Sequence, residues 1–206
     1  MIVIIDYGMG NLKSVYNALK SLGLECKVSS SEEDIKNAKA LILPGVGAFK
    51  DAMDNIEEKS LDVLIKSEVE KGKPLLGICL GMQLLFEKGF EGSEREGLGL
   101  LKGNIVKMKD DKENNIKIPH IGWNNLIYNM KDELFNSIDE GKFVYYVHSY
   151  YAHGYDNKDL VAYSEYGKNK IAGVVRKKNV IGAQFHPEKS GDVGLAILKN
   201  FGELIK

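Results

Sequence analysis

Hydrophobic positions follow two rhythms along this chain. In the first part, short apolar runs alternate with stretches whose apolar residues recur every three or four positions. Ile2-Val3-Ile4-Ile5 is a β-branched run that predicts a buried strand, ended by the turn Asp6-Tyr7-Gly8-Met9-Gly10. Leu12, Val15, Tyr16, Leu19 and Leu22 then repeat at helical spacing, with Gly23 as a stop. Residues 25–28 predict a second strand, and Ser31 followed by Asp34 predicts a capping box heading a short helix. Ala40–Leu43 is a third buried strand, stopped by Pro44-Gly45. Leu61, Leu64, Ile65 and Val69 mark another helix, closed by Gly72 and Pro74. Leu75–Ile78 is a fourth strand, with a helix over 82–88 directly after it. This alternation predicts an α/β fold, an open, mostly parallel sheet flanked by helices.

Beyond Leu98 the texture changes. Short β-rich segments at 104–108, 142–149, 160–166, 170–175 and 180–184 follow one another between Gly, Asn and Lys turns. They predict an added antiparallel β layer or sheet extension within the same domain. Residues 193–205 return to a helical period through Ala196, Ile197, Phe201, Leu204 and Ile205. With no repeat, low-complexity tract or linker, residues 1–206 read as a single domain.

Composition narrows the function classes. Hydrophobic residues at 44% and charged residues at 28% make an ordinary globular mixture, so disorder is not expected. A formal net charge of −1, without long runs of one sign, asks for neither nucleic acid nor an anionic membrane. The apolar runs are too short to span a bilayer, and the N-terminus lacks the basic segment of a signal peptide, so a cytoplasmic location is expected. Two cysteines, Cys26 and Cys79, make no disulfide framework. No His or Cys pair has metal-ligand spacing, so no metal is expected.

Chemistry concentrates around Gly77-Ile78-Cys79-Leu80-Gly81, where an apolar strand runs into a helix. Flanking glycines permit the sharp strand-to-helix elbow that lifts a nucleophile out of a sheet. The sulfur then sits at a helix N-terminus, where unpaired N–H groups and the helix dipole favour negative charge. A lone cysteine is ordinarily a small core residue, which is how Cys26 reads; the glycines and the strand before it set Cys79 apart. A thiol nucleophile needs an imidazole and a group to orient it. Among His120, His148, His153 and His186, the last lies just past the strand 180–183, where open α/β sheets place their chemistry. Glu188 is two residues on, across Pro187, close enough to fold back onto the ring. Acyl chemistry also needs oxyanion donors: the N–H of Leu80 is one, and the glycine-rich turn Pro44-Gly45-Val46-Gly47 is a candidate for the second.

Together these motifs resemble the class I (triad-type) glutamine amidotransferases, and more closely the glutaminase subunits of imidazole glycerol phosphate synthases. The resemblance covers nearly the whole chain and rests on ordered blocks: Asp6-Tyr7-Gly8-Met9-Gly10-Asn11, Pro44-Gly45-Val46-Gly47-Ala48-Phe49, the cysteine elbow through Gln83, Pro119-His120-Ile121-Gly122-Trp123-Asn124, Tyr146-Val147-His148-Ser149-Tyr150 and Phe185-His186-Pro187-Glu188. It implies Cys79 as nucleophile, His186 as base and Glu188 as orienter. It further implies glutamine contacts from Gln83 and the Ser149-Tyr150 backbone, and oxyanion donors at Leu80, Val46 and Gly47. The implied substrate is L-glutamine, and the implied partner is a separate (β/α)₈ barrel cyclase that receives ammonia in histidine biosynthesis. No organic cofactor is implied. Asn11, Trp123, Tyr145 and Lys189 are the candidates for the partner interface, and His120 and His148 read as structural or partner-contact residues.

Three other readings share these residues: a glutaminase serving another synthase, an idle partner-binding module, and a free-standing cysteine hydrolase. An intact Cys79, His186 and Glu188 set argues against the idle module. Gly8-Met9-Gly10 is no dinucleotide fingerprint, because Lys13 stands where a third glycine is required.

Overall fold

The structure is a computed structural model and describes residues 1–111 and 116–205. Its first strands are Ile2–Ile5 (β1), Cys26–Ser29 (β2), Ala40–Leu43 (β3) and Leu75–Ile78 (β4). Helices Leu12–Ser21 (α1), Glu32–Asn37 (α2), Phe49–Glu58 (α3) and Leu61–Glu70 (α4) connect them. After the one-turn helix Leu80–Gln83 (α5) come ten further strands. They are Lys88–Gly89 (β5), Arg95–Glu96 (β6), Asn104–Lys107 (β7), His120–Asn125 (β8), Ile127–Tyr128 (β9), Phe143–His148 (β10), Tyr150–His153 (β11), Leu160–Tyr166 (β12), Asn169–Lys177 (β13) and Val180–Ala183 (β14). Helix Gly191–Glu203 (α6) follows.

The main sheet has eight strands in the order β2-β1-β3-β4-β14-β13-β12-β9. From β2 to β14 neighbours run parallel, and from β14 to β9 antiparallel. Side chains alternate between two cores. Val3, Ile5, Leu41, Leu43 and Leu75 join Phe49, Met53, Ile56 and Ile65 of α3 and α4. Ile2, Ile4, Ile42, Leu76 and Ile181 join Val15 and Leu19 of α1 and Ile197, Leu198 and Phe201 of α6. Burial on both faces is why these strands are apolar throughout rather than alternating. The expected α/β fold is thus present, and the extra antiparallel strands fall into three places. β13, β12 and β9 extend the main sheet, β10 and β8 form a separate ribbon, and β11-β7-β5-β6 form a small sheet that includes one parallel pair, β5 with β7.

The structure differs from the sequence reading in particular places. Ser31 precedes α2 but its side chain caps nothing. Asp34 instead takes Lys27 Nζ at 2.8 Å and Ser29 Oγ at 2.5 Å, partners that β2 brings alongside. The helix expected over 82–88 ends after one turn. Leu84, Leu85 and Phe86 are all fully buried, so no face remains for solvent, and the chain bends to bond the 97–101 segment (Leu98 N–H to Leu84 O, 2.8 Å; Gly99 N–H to Phe86 O, 3.0 Å). Helix α3 lies outside the elements predicted above, although Phe49, Ala52, Met53 and Ile56 carry a helical period.

Helices α1 and α4 both end in the paired hydrogen bonds of a Schellman motif: Leu24 N–H to Leu19 O with Gly23 N–H to Lys20 O, and Lys73 N–H to Glu68 O with Gly72 N–H to Val69 O. The second motif delivers Lys73 to a buried junction. Its ammonium pairs with the buried Glu68 carboxylate at 2.7 Å and donates to Ile35 O and Lys36 O at 2.6 and 2.8 Å, the open end of α2. Lys73→Met leaves the buried Glu68 carboxylate and the partly buried Ile35 carbonyl short of a donor, while Lys71, 2.6 Å from Glu68, still balances part of the charge. The expected loss is about 2–3 kcal/mol. Urea denaturation should show it as a lower midpoint at constant slope.

Candidate active site

Strands β4 and β14 run parallel in the middle of the sheet, with Ile78 beside Ala183, and both release their chains at the same edge. Cys79 is the residue after Ile78, and its N–H still donates to Ala183 O at 2.8 Å. Its backbone has φ 54° and ψ −111°, a conformation that L-residues rarely adopt and that costs on the order of 1–3 kcal/mol. The flanking glycines explain how it is held. A side-chain carbon at Gly81 would overlap the Leu43 carbonyl oxygen at the end of β3, and one at Gly77 would lie 2.6 Å from Gly81 O. Helix α5 therefore starts pressed against two strand ends, and Cys79 takes up the bend.

His186 arrives three residues past β14, and its N–H donates to Tyr145 O of β10 at 3.0 Å. Pro187–Lys189 is a single 3₁₀ turn that swings Glu188 back, so that its Oε1 lies 2.8 Å from His186 Nδ1. Both side chains are almost wholly buried. His186 Nε2 and Glu188 Oε2 have no hydrogen-bond partner of regular geometry. Burial disfavours the imidazolium, but the Cys79 sulfur and then the Glu188 carboxylate outweigh it and push His186 up to about 9.

A cavity of about 290 Å³ opens over these groups. It is lined by Cys79 and His186, by Leu80 and Gln83 of α5, by Val46 and Gly47, by Val147 to Tyr150, and by Glu91. The Val46–Gly47 turn rests on the Asp6-to-Gly10 block: Tyr7 Oη donates to Pro44 O at 2.9 Å, and Gly47, at φ +108°, packs against the Met9 methyl. Gln83 Nε2 donates to Tyr150 O at 2.9 Å and to Gln184 Oε1 at 3.1 Å. Gln184 Nε2 in turn lies 4.0 Å from Cys79 Sγ.

Thus the residues read as nucleophile, base, substrate contacts and oxyanion loop are brought together around one cavity, with Glu188 behind the base. The four interface candidates lie elsewhere. Trp123 is 56% exposed and meets the Tyr145 ring edge-on at 5.9 Å, on the outer face of the β8–β10 ribbon, while Tyr146 is fully buried. Lys189 is exposed on the turn after His186, and Asn11 precedes α1. Ile121 and Phe143 share the exposed ribbon face with Trp123. Sequence reasoning missed two polar residues of the cavity lining, His148 and Glu91, and one buried behind it, Gln184. Gln184 was legible as the residue after a buried strand beside the cysteine strand. His148, which reads as a structural or partner-contact residue, lines the cavity. Glu91 sits in a loop with no local signal and arrives there because its Oε2 accepts the Phe49 N–H at 2.8 Å at the head of α3. No group of three or more His, Cys, Asp or Glu placed to hold a metal occurs among the described residues, and none of their helices is long and apolar enough to cross a membrane.

Residues 3–204 match the family Glutamine amidotransferase class-I, and the chain belongs to that family of enzymes. Among its relatives is the imidazole glycerol phosphate synthase subunit HisH of Caldanaerobacter subterraneus subsp. tengcongensis, 54% identical over 100% of this chain and 99% of that one. The subunit HisH of Bacillus subtilis is 50% identical over 99% of this chain and 96% of that protein. A crystal structure of a glutamine amidotransferase superposes with a TM-score of 0.76 at 22% identity, covering 100% of this chain and 99% of the other, and shares the fold.

The electrostatics can be measured directly. The His186 ring protons should titrate in NMR with a midpoint near 9 in the wild type. In Cys79→Ala the first of the raising groups is gone, and burial should pull the midpoint downward. An unmoved midpoint would dissociate the ring from the sulfur.

Proposed function

We propose that this chain is the glutaminase subunit of an imidazole glycerol phosphate synthase. Residues 1–206 work as one unit that hydrolyses glutamine to glutamate and passes ammonia to a separate (β/α)₈ cyclase subunit, in cytoplasmic histidine biosynthesis. The observation that carries the chemistry is the buried imidazole of His186, held by Glu188 at 2.8 Å and coupled electrostatically to the strained Cys79. The assignment to this synthase is supported by identities of 50–54% to HisH subunits over essentially the full chain.

The Cys79 thiolate attacks the carboxamide carbon of glutamine, and the carbonyl electron pair moves onto oxygen. Leu80 N–H and the Val46–Gly47 turn are the donors for that oxyanion. The His186 imidazolium protonates the departing nitrogen, so ammonia leaves and a thioester remains. His186, now neutral, takes a proton from water, which attacks the thioester and releases glutamate. Glu188 holds the ring through Nδ1 in both halves. At the amino-acid end, Gln83 and the Ser149–Tyr150 backbone hold the substrate. Glu91, the one carboxylate lining the cavity among the described residues, faces its ammonium. The exposed apolar strip of Ile121, Trp123 and Phe143, with Tyr145, is suited to a protein partner, since aromatic residues are favoured in interface cores. Asn11 and Lys189 complete the proposed contact surface.

Cys79→Ala should abolish glutamine hydrolysis while ammonia added to the complex still drives the cyclase. His186→Asn should lose several powers of ten in turnover and Glu188→Gln less, because an orienting group is more dispensable than the base. Steady-state assays of glutamate release and cyclase product check both, and glutaminase activity retained by pure Cys79→Ala would sink the mechanism.

A further inference from the structure

The inner face of the β8–β10 ribbon carries polar groups that the mechanism does not use. His148 lies opposite His120 in register. The His120 ring is stacked between Tyr146, at 4.6 Å, and Tyr166, at 3.9 Å. His148 Nδ1 is 2.8 Å from Tyr150 O, His148 Nε2 is 3.1 Å from His120 Nδ1, and His120 Nε2 is 3.4 Å from Asn124 Nδ2. Asn124 is itself oriented, because its Oδ1 accepts the Asn125 N–H at 2.9 Å and its Nδ2 donates to Glu165 O at 2.9 Å.

Donor–acceptor logic leaves this chain one proton order. A carbonyl only accepts, so His148 carries its proton on Nδ1. In a neutral ring Nε2 is then bare, and the proton between the rings belongs to His120 Nδ1. His120 Nε2 is bare in turn and receives the Asn124 amide. Neutral rings are what the surroundings favour. Burial lowers His120 to about 4, and burial first, with His120 and His186 adding to it against the Tyr150 carbonyl, lowers His148 to about 3. Such rings do not take up a proton near neutral pH; they orient rather than shuttle. The chain ends on the Tyr150 carbonyl, which also accepts from Gln83. The neighbouring Ser149 carbonyl is tied to Met108 N–H at 2.9 Å.

We propose that Asn124, His120 and His148 are positioning residues for glutamine hydrolysis: a one-way hydrogen-bond chain that fixes the Tyr150 carbonyl and, through it, Gln83 and the Ser149–Tyr150 backbone against the substrate. This rests on the reading that Cys79 is the nucleophile and that this backbone holds the amino-acid end. A plain packing role would need the ring shapes and not the direction of the protons. A positioning role acting on substrate and transition state alike should appear in KM and leave kcat nearly alone.

Two measurements on the protein test it. In the wild type, nitrogen-15 NMR of the imidazoles should find both His120 and His148 as neutral Nδ1–H tautomers between pH 6 and 8; an Nε2–H tautomer or an imidazolium at either ring overturns the proposal. In the complex with its cyclase subunit, His148→Leu should raise the KM for glutamine on the order of ten-fold with little change in kcat. His148→Asn, which keeps a donor for Tyr150 O, should recover most of that loss. His120→Phe, which keeps the stack but removes the donor, should raise KM in the same sense. An unchanged KM in His148→Leu, equal defects in the Leu and Asn variants, or a defect confined to kcat would overturn it. The underlying reading fails separately, by activity in Cys79→Ala; a dead Cys79→Ala beside a normal His148→Leu sinks only the positioning chain.

Discussion

The contact on which the site depends is the one between Gly81 and the end of β3. Because no side-chain carbon fits between Gly81 and the Leu43 carbonyl oxygen, α5 can start directly against the sheet, and the bend falls on Cys79. The strained backbone there is over-determined by its surroundings: β4 is buried along its whole length between β3 and β14, and the Cys79 N–H continues the β14 ladder. The same contact sets the relation of Cys79 to the turn that continues from β3. Val46 and Gly47 reach the cavity from one side of the elbow, while His186 reaches it from β14 on the other.

Charge in the site follows from which neighbours each imidazole meets. His186, His148 and His120 are all buried, and burial acts on each to favour the neutral ring. Only His186 is set between two groups able to carry negative charge, and it alone is raised. His148 faces a carbonyl and two other imidazoles, and His120 faces an amide and two phenol rings. One residue type thus supplies a proton-carrying ring and two neutral ones within a single site, without any of them being exposed. The buried polar side-chain atoms without a hydrogen-bond partner of regular geometry among the described residues, His186 Nε2 and Glu188 Oε2, both belong to the proposed base and its orienter.

The β8–β10 ribbon separates two tasks by the alternation of a strand. Ile121 and Trp123 of β8 and Phe143 and Tyr145 of β10 point outward and are wholly or partly exposed, whereas His120, Tyr146 and His148 point inward and are buried. A one-residue slip in the register would exchange these sets, so the pairing of His120 with His148 and of Trp123 with Tyr145 is tied to the packing of Tyr146 in the core.

What the sequence determined by itself was local. The strands β1, β3 and β4 are apolar on both faces, α1 and α4 carry a helical period with a stop, and the glycines around Cys79 mark a bend wherever the strand before it lies. His186 and Glu188 could be paired in thought because only a proline stands between them. Other features depended on partners far away in the chain. Asp34 looked like half of a capping box until β2 placed Lys27 and Ser29 beside it. The apolar run 84–86 looked helical until its carbonyls met the 97–101 segment. His148 and Glu91 come to the cavity through ribbon pairing and the head of α3, and sheet register buries Gln184 against Gln83 behind it. Periodicity and turn chemistry act over a few residues and are written in the sequence. The register between distant strands is set by the burial of whole faces at once, so only the tertiary structure decided which of these polar side chains would share a cavity with Cys79.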